Sequence, residues 1–285
     1  KEDVYFRDWQ YLATEYLVIG QVLVTEVGGY KINYQLFDVQ RQDIIANGSF
    51  AAGKDDLRAL AHAISDKVYE ALTGLKGAFR TRIAYVAADK KVNPNYYKLL
   101  VADSDGYNAK VVYQSSQPIM SPSWSRDASR LAFVSFELGR PSIYIKDITN
   151  NSMPKRITSF KGINGAPAWS PDGKKLAMVL SKDGNAEIYV LDLISNKITR
   201  VTKHYGIDTE PSWSVDGKSI LFTSDRGGKP QIYQVTLESG WVERLTFEGD
   251  YNARGSLTHD GRFLVLVSRH DEQFHIAVQD LQRGT

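Results

Sequence analysis

One pattern recurs four times along the 285-residue chain, and its spacing constrains the fold more than any single motif. Each copy begins with a short apolar run whose last residue is Trp124, Trp169, Trp213 or Leu257. These anchors lie 45, 44 and 44 residues apart. A repeat of this length is typical of stacked or radial architectures.

Each copy contains signals for several short strands. The turn Ser170-Pro171-Asp172-Gly173 follows the apolar run in one copy, and similar turns stand in the others. Pro presets φ, Asp bonds back to the backbone and Gly accepts positive φ, so the flanking strands form a hairpin. An aliphatic strand, an alternating strand and a short strand such as 198–202 follow. Four strands in about 44 residues predict a propeller blade. A helical repeat is excluded because 3.6-residue periodicity is absent.

The first and last repeats lack strands. Residues 82–116 match the second, third and fourth strands of a blade, but "GLKGAF" at 74–79 replaces the Trp-containing run. The chain ends at Thr285, before a fourth strand of the last repeat. Five repeats are therefore visible, and we expect a propeller ring that is C-terminally incomplete, with open blade edges available for pairing.

The first 76 residues carry a different pattern, which predicts a small α/β domain. The expected elements are a short helix at 6–13, strands at 15–27, 30–39 and 43–50, and a helix at 54–74. Asp55 is predicted as the N-cap of that helix and Gly74 as the C′ residue that terminates it. The apolar strand 15–27 needs cover on both faces, so we expect this domain to be N-terminally incomplete. The domains are predicted as 1–76 and 77–285.

Composition and motifs give no support for catalysis, metal binding or nucleic-acid binding. The chain has 35 basic and 33 acidic residues, a net charge of +2 and no cysteine. The balanced charge gives no electrostatic case for nucleic acid. No Gly-x-Ser-x-Gly elbow is present, and the five histidines lack metal-ligand spacing. "DSDG" at 103–106 departs from a calcium loop at the next ligand position and is interpreted as a turn.

The sequence places a candidate binding site at one mouth of the propeller channel. Residues just before each innermost strand recur around the axis there, and the loops 137–140, 182–185, 225–229 and 269–273 are expected on the same face as a polar rim. Without other information, solvated loops are the competing interpretation. The predicted partner-binding residues are Met120, Ser121, Ile163, Asn164, Ala166, Thr209, Glu210, Ala253 and Arg254.

The whole chain resembles the TolB family of periplasmic Tol-Pal propellers. The resemblance rests on "LTGLKGAFRTRIAYV" at the domain junction, together with "GAPAWSPDG", "DTEPSWS", "SDRGGKPQIY" and "DGRFLVLVS". It implies a six-bladed propeller after a longer N-terminal domain, with a C-terminal strand completing blade one. This chain departs from that pattern at both ends.

The resemblance also implies a function. It implies a non-enzymatic periplasmic scaffold that supports outer-membrane integrity and cell division, without cofactors, and that lies at the outer membrane through the lipoprotein Pal. Pal would dock across the channel mouth at positions matching Ile163, Ala166, Thr209 and Glu210. Some relatives carry His at the position of Ile163, so that contact is expected to be apolar or absent here.

Other partners and an alternative also follow. TolA and other Tol components would meet the N-terminal domain, whose sheet edge could accept a strand, and colicin-type translocation segments are further expected partners. The alternative is an enzyme acting in the propeller channel, a hydrolase or lyase, or the regulatory propeller of a peptidase. Of the acid or base groups that such an enzyme would need at the channel, only Glu210 is evident.

Overall fold

The computed structural model describes residues 4–26, 28–89 and 96–283. In the four repeats that carry it, the Ser/Thr-x-Asp turn closes a hairpin. In the third blade, Ser170 Oγ donates to Asp172 Oδ1 at 2.5 Å, and Asp172 Oδ1 accepts from Lys174 N at 3.0 Å. Gly173 has a φ of 66°, which glycine adopts without strain. The repeated Asp-Gly pairs therefore build the turns, as the sequence predicts.

The described residues of the repeats form five antiparallel sheets, which we call blades 1 to 5. Blades 2 to 4 have four strands each, whereas blades 1 and 5 have three, and the strand predictions for the partial repeats are confirmed. Blade 1 contains β4 (Arg82–Asp89), β5 (Tyr96–Asp103) and β6 (Lys110–Ser115). Blade 2 contains β7 (Ile119–Trp124), β8 (Arg130–Ser135), β9 (Ser142–Asp147) and β10 (Lys155–Thr158).

The remaining blades follow the same order along the chain. Blade 3 contains β11 (Asn164–Trp169), β12 (Lys175–Leu180), β13 (Glu187–Asp192) and β14 (Ile198–Arg200). Blade 4 contains β15 (Asp208–Trp213), β16 (Ser219–Ser224), β17 (Gln231–Thr236) and β18 (Val242–Arg244). Blade 5 contains β19 (Tyr251–Leu257), β20 (Phe263–His270) and β21 (Gln273–Asp280).

The core of the propeller lies between consecutive blades. Ile143 of blade 2 shares a buried cluster with Met178 and Leu180 of blade 3. On the other face of blade 3, Ile188 shares a cluster with Phe222 of blade 4. All five side chains are fully buried, and each such burial stabilises the fold by about 1.5–3 kcal/mol.

The repeated tryptophans connect neighbouring blades rather than facing a ligand. Trp169 Nε1 donates to the carbonyl of Ser123 in blade 2 at 3.2 Å. Trp213 Nε1 makes the equivalent bond to Ala168 O in blade 3 at 3.0 Å. The predicted packing role of these two residues is confirmed.

The N-terminal region forms a three-stranded antiparallel sheet in the order β1-β2-β3, with two helices. Its elements are α1 (Phe6–Tyr11), β1 (Tyr16–Val24), β2 (Tyr30–Asp38), β3 (Asp43–Ala52) and α2 (Leu57–Thr73). The prediction of Asp55 as N-cap is wrong, because a 3₁₀ turn at Lys54–Asp56 precedes α2 and contains Asp55. Asp56 holds the N-cap position without a side-chain capping bond, and Gly74 ends the helix with a φ of 72°, as predicted.

The junction motif has a structural explanation. Asp66 of α2 is nearly buried and accepts hydrogen bonds from Phe79 N at 2.8 Å and Arg80 Nε at 2.9 Å. A Cβ at Gly77 would lie 2.5 Å from Asp66 Cα, so only glycine fits there. The segment "GLKGAF" is thereby fixed to the helix.

The chain divides into two compact units. One consists of Lys1–Ile83 with Ala102–Ala109, and the other of Ala84–Val101 with Lys110–Thr285. The domain boundary that the sequence places between residues 76 and 77 lies within the first unit and stays a prediction.

Candidate partner-binding site at the propeller mouth

The inner strands of blades 2 to 5 surround one open cavity of about 340 Å³. Each strand contributes the same three repeat positions, and each is interrupted by a β-bulge there, between Met120 and Ser123 in β7 and at the matching points of the others. The first lining residue of each strand has a left-handed backbone. These residues are Ser121 (φ 51°), Ala166 (φ 45°), Glu210 (φ 52°) and Arg254 (φ 57°).

The bulges bring these four predicted site residues together around the cavity. A positive φ is uncommon for residues other than glycine and costs about 1–3 kcal/mol each. Bulges re-aim side chains and are frequent beside functional sites. Four strained residues at one repeat position therefore mark this end of the channel as a built surface.

The two sides of the mouth differ chemically. On blades 4 and 5, Arg254 Nε donates to Glu210 Oε1 at 2.7 Å. Thr223 Oγ1 donates to Glu210 Oε2 at 3.0 Å and accepts from Arg254 N at 3.0 Å. Blades 2 and 3 carry only Ser121 and Ala166 at the equivalent positions. The mouth is consequently open on one side and lined by a fixed ion pair on the other.

The other predicted residues divide into exposed and buried groups. Met120 and Ile163 are 52% and 48% exposed, and Thr209 is half-buried. Asn164 is fully buried, where its Nδ2 donates to Phe160 O and its Oδ1 accepts from Phe160 N. Ala253 is also buried. The side chains of Asn164 and Ala253 thus shape the loop and the core rather than facing a partner.

The loops after the second strands lie on the same face as the mouth, as predicted. Ile163 N donates to Ser181 Oγ at 2.7 Å, and Ser181 N donates to Ile163 O at 3.2 Å. In the next blade, Ile207 N donates to Asp225 Oδ1 at 2.7 Å. These bonds fix the start of an inner strand against the neighbouring loop in two successive blades.

Sequence reasoning missed a set of exposed apolar residues on this face. Tyr205 is 85% exposed, Phe247 72% and Ile207 52%. Tyr205 is nevertheless held in place, since its hydroxyl donates to Arg226 O at 3.3 Å and its ring centroid lies 4.1 Å from that of His204. These residues lie in connections that run from the outer strand of one blade to the inner strand of the next, and each connection ends at the mouth. That position in the repeat is the sequence signal that could have identified them.

A buried ion pair supports the loop that carries these residues. Asp208 is fully buried, and its Oδ2 accepts from Arg226 Nη2 at 2.6 Å. Burial raises the pKa of Asp208 above its ordinary value, against the opposing effect of hydrogen bonds from Ser224 and Arg226. The Arg226 guanidinium also lies over the Phe222 ring, 5.0 Å from its centroid. This packing fixes the first residue of β15.

The described residues offer little for catalysis at the mouth. Among residues 4–26, 28–89 and 96–283, no group of three or more His, Cys, Asp or Glu side chains is arranged to hold a metal ion. The carboxylate of Glu210 is engaged by Arg254 and Thr223. In the same part of the chain, no helix is long and apolar enough to cross a membrane.

Antiparallel blades around a central cavity define a β-propeller whose described sheets do not close a ring, preceded by a small α/β unit. Residues 69–285 match the family model described as the TolB beta propeller domain, and residues 1–45 match the TolB amino-terminal domain. The chain belongs to the TolB family.

Individual relatives agree with this assignment. The Tol-Pal system protein TolB of Xanthomonas oryzae pv. oryzae is 46% identical over 164 residues, which is 58% of this chain and 37% of the relative. The crystal structure of TolB from Acinetobacter baumannii superposes with a TM-score of 0.91 at 43% identity, covering 99% of this chain and 71% of that one. The chain therefore matches well under two thirds of the length of its curated relatives.

Enzymes with a similar propeller are much more distant. An oligogalacturonate lyase in complex with manganese has a TM-score of 0.52 and 16% identity, covering 90% of this chain and 72% of that chain. That likeness shows the fold alone. The relatives with 43–46% identity are TolB proteins, whereas the propeller enzyme shares only 16% identity with this chain.

Proposed function

We propose that this chain is part of a periplasmic scaffold of the Tol-Pal system and that it binds the lipoprotein Pal across the propeller mouth. Membership of the TolB family supports the assignment to the system. The observation that carries the location is the ring of bulged residues around the cavity, with exposed apolar side chains beside it. Through Pal, the chain would act at the outer membrane in envelope integrity and cell division.

The composition of the mouth suits a protein partner. Protein interfaces combine an apolar centre that is enriched in aromatic residues with a polar rim. Tyr205, Ile207 and Ile163 supply exposed apolar area, and the loops at 182–185 and 225–229 supply polar groups. Tyr205 is already ordered by its own contacts, so its immobilisation on binding costs little entropy. An isoleucine at 163 makes that contact apolar.

The open side of the mouth is the part that a partner segment can approach most closely. Ser121 and Ala166 leave room there, while Glu210 and Arg254 can orient polar groups of the segment from the other side. We include Met120 and Thr209 in the contact surface because they are exposed or half-buried beside these residues. TolA, other Tol components and colicin-type segments remain proposed partners, with TolA assigned to the N-terminal unit.

The proposal is tested by filling the open side of the mouth. Ala166→Trp places a bulky ring there. Val215→Trp is the matched control, because Val215 is 41% exposed and lies in the turn after β15, at the end of that strand away from the mouth. With a soluble Pal domain in calorimetry, we expect Ala166→Trp to weaken binding at least tenfold, about 1.4 kcal/mol. The control should bind within about twofold of the parent chain.

Val215→Trp should melt as the parent does, because Val215 is exposed. Ala166 is half-buried and packs against the cluster between blades 3 and 4, so Ala166→Trp is expected to melt at a lower temperature while keeping the circular dichroism spectrum of the folded parent. An unchanged affinity of Ala166→Trp would remove the mouth as the Pal site. Equal weakening by Val215→Trp would do the same.

A further inference from the structure

The two faces of the N-terminal sheet have opposite character. Tyr34 and Leu36 of β2 are 4% and 0% exposed on one face. On the other face, Asn33 is half-buried and Gln35 is exposed. An open cavity of about 550 Å³ lies on this second face. Its lining includes the polar residues Gln21, Asn33, Gln35, Asn47 and Ser49, with Tyr34 and Gly48 between them along the strands.

The strand register arranges these side chains in two rows across the sheet. Gln21 pairs with Asn33, which pairs with Ser49, and the adjacent row joins Ile19, Gln35 and Asn47. Asn33 Nδ2 donates weakly to Gln21 Oε1 at 3.4 Å. Within the described residues, the side chains of Gln35, Asn47 and Ser49 have no hydrogen bond to protein. Four carboxamides and a hydroxyl therefore present donors and acceptors to solvent.

Among the residues that the structure describes, the lining of this cavity carries no formal charge. On this face of β2 the charged residue is Lys31, which lies in the next row and pairs with Leu23 and Ala51. Carboxamides without a neighbouring cation offer no affinity for phosphate or carboxylate groups. They are well matched to neutral hydroxyl and amide groups, which exchange a donor and an acceptor with each carboxamide.

Apolar and aromatic groups border the rows at the α1 end. Phe6 packs edge-on against Phe37, with ring centroids 5.6 Å apart, and Val4 lines the cavity beside Ile19. Tyr5 and Trp9 of this same segment are 72% and 38% exposed. The apolar side chains of Val4 and Ile19 beside neutral polar groups suit a ligand that has both apolar faces and hydroxyls.

We propose that this amide face binds a neutral glycan that carries acetamido groups. The sugar hydroxyls and acetamido groups would bond to Gln35, Asn47 and Ser49, and the apolar face of a pyranose ring would lie against the α1 end. An extended peptide is less suited, because peptides that bind sheets pair with the backbone of an edge strand rather than cover a face. This site is separate from the propeller mouth and does not depend on the Pal proposal.

Chitotetraose, a soluble tetramer of N-acetylglucosamine, is the probe, and maltotetraose, which lacks acetamido groups, is the control ligand. Binding to the 285-residue chain is followed by saturation-transfer NMR and calorimetry. We expect chitotetraose to bind at least tenfold more tightly than maltotetraose. The double variant Gln35→Ala/Asn47→Ala should weaken chitotetraose binding at least tenfold, because it removes both carboxamides of one row.

Gln114→Ala is the matched control, since it removes an exposed carboxamide from β6 of the propeller. It should bind chitotetraose as the parent does. Circular dichroism melting should be unchanged in all variants, and Ser49→Ala gives a second, milder test of the same face. The proposal is overturned if chitotetraose does not bind, if maltotetraose binds equally well, or if the double variant binds like the parent.

Discussion

The side chain of Glu187, in β13 of blade 3, is hydrogen-bonded to β14 and to the loop that carries Tyr205. Its carboxylate is fully buried. Oε1 accepts from Arg200 Nη2 and His204 N, each at 2.8 Å, and Oε2 accepts from Thr202 Oγ1 at 2.7 Å. Burial disfavours the ionised form, but these bonds outweigh it, so the pKa of Glu187 lies below its ordinary value. We therefore predict that Glu187→Ala destabilises the propeller strongly.

The magnitude follows from what the substitution leaves behind. Removing one partner of a buried ion pair costs about 3–5 kcal/mol, since the other charge and its donors stay desolvated. The Arg200 side chain is 27% exposed, so water partly replaces the carboxylate. We expect a loss of about 3 kcal/mol in the free energy of unfolding, the lower end of that range.

The matched control is Glu187→Gln, which introduces the residue type that blade 4 has at the equivalent position. Gln231 occupies the equivalent position there, and its Oε1 accepts from Thr246 Oγ1 at 2.7 Å. Glu187→Gln keeps one acceptor and loses the charge, so it should cost about 1.5–2 kcal/mol, the lower end of the range for one hydrogen bond to a charged group.

Urea unfolding, followed by tryptophan fluorescence, measures both variants. A loss of under about 1 kcal/mol for Glu187→Ala would refute the reasoning, because breaking a buried ion pair costs several times more. A loss for Glu187→Gln as large as that for Ala would also refute it.

Two further predictions concern the blades. Trp169→Phe removes the bond from Trp169 Nε1 to Ser123 O and leaves that carbonyl unsatisfied, so the free energy of unfolding should fall by about 1–3 kcal/mol in urea, and an unchanged midpoint would contradict this. Hydrogen bonds from Ser125 and Ser129 lower the pKa of Asp127 to about 2, from 3.8. Its contribution to stability is complete above about pH 4 and is lost as pH falls toward 2. The melting temperature should therefore drop over that range, and Asp127→Asn should flatten the drop; an identical pH profile for the variant would count against the assignment.

The blade architecture could be predicted from the sequence because one repeat encodes it several times over. The tryptophan, the Asp-Gly turn and the strand lengths agree in successive copies, so an error in one copy is corrected by the others. The N-terminal elements were also predictable, since apolar alternation and a long amphipathic segment are strong local signals. The N-cap at Asp55 was not, because the choice between a 3₁₀ turn and a first α-helical turn depends on contacts outside the segment.

The site was only partly predictable. Its place at the start of the inner strands follows from the repeat, but the left-handed residues do not. Ala166 and Glu210 precede proline, where helical and left-handed backbones are disfavoured, and only the bulge in the folded sheet imposes that conformation. The burial of Asn164 and the exposure of Tyr205 and Phe247 depend on how each connection packs against the next blade. The repeat pattern carries no such information.

Hydrogen–deuterium exchange of the chain with and without a soluble Pal domain tests the central claim most directly. Our account predicts slower exchange at the starts of β11 and β15, in the connection around Tyr205, and in the loops at 182–185 and 225–229. The Asp-Gly turns at the opposite ends of the same hairpins, 170–173 and 214–217, should exchange as in the free chain. Protection confined to those turns, or to the N-terminal sheet, would contradict the account.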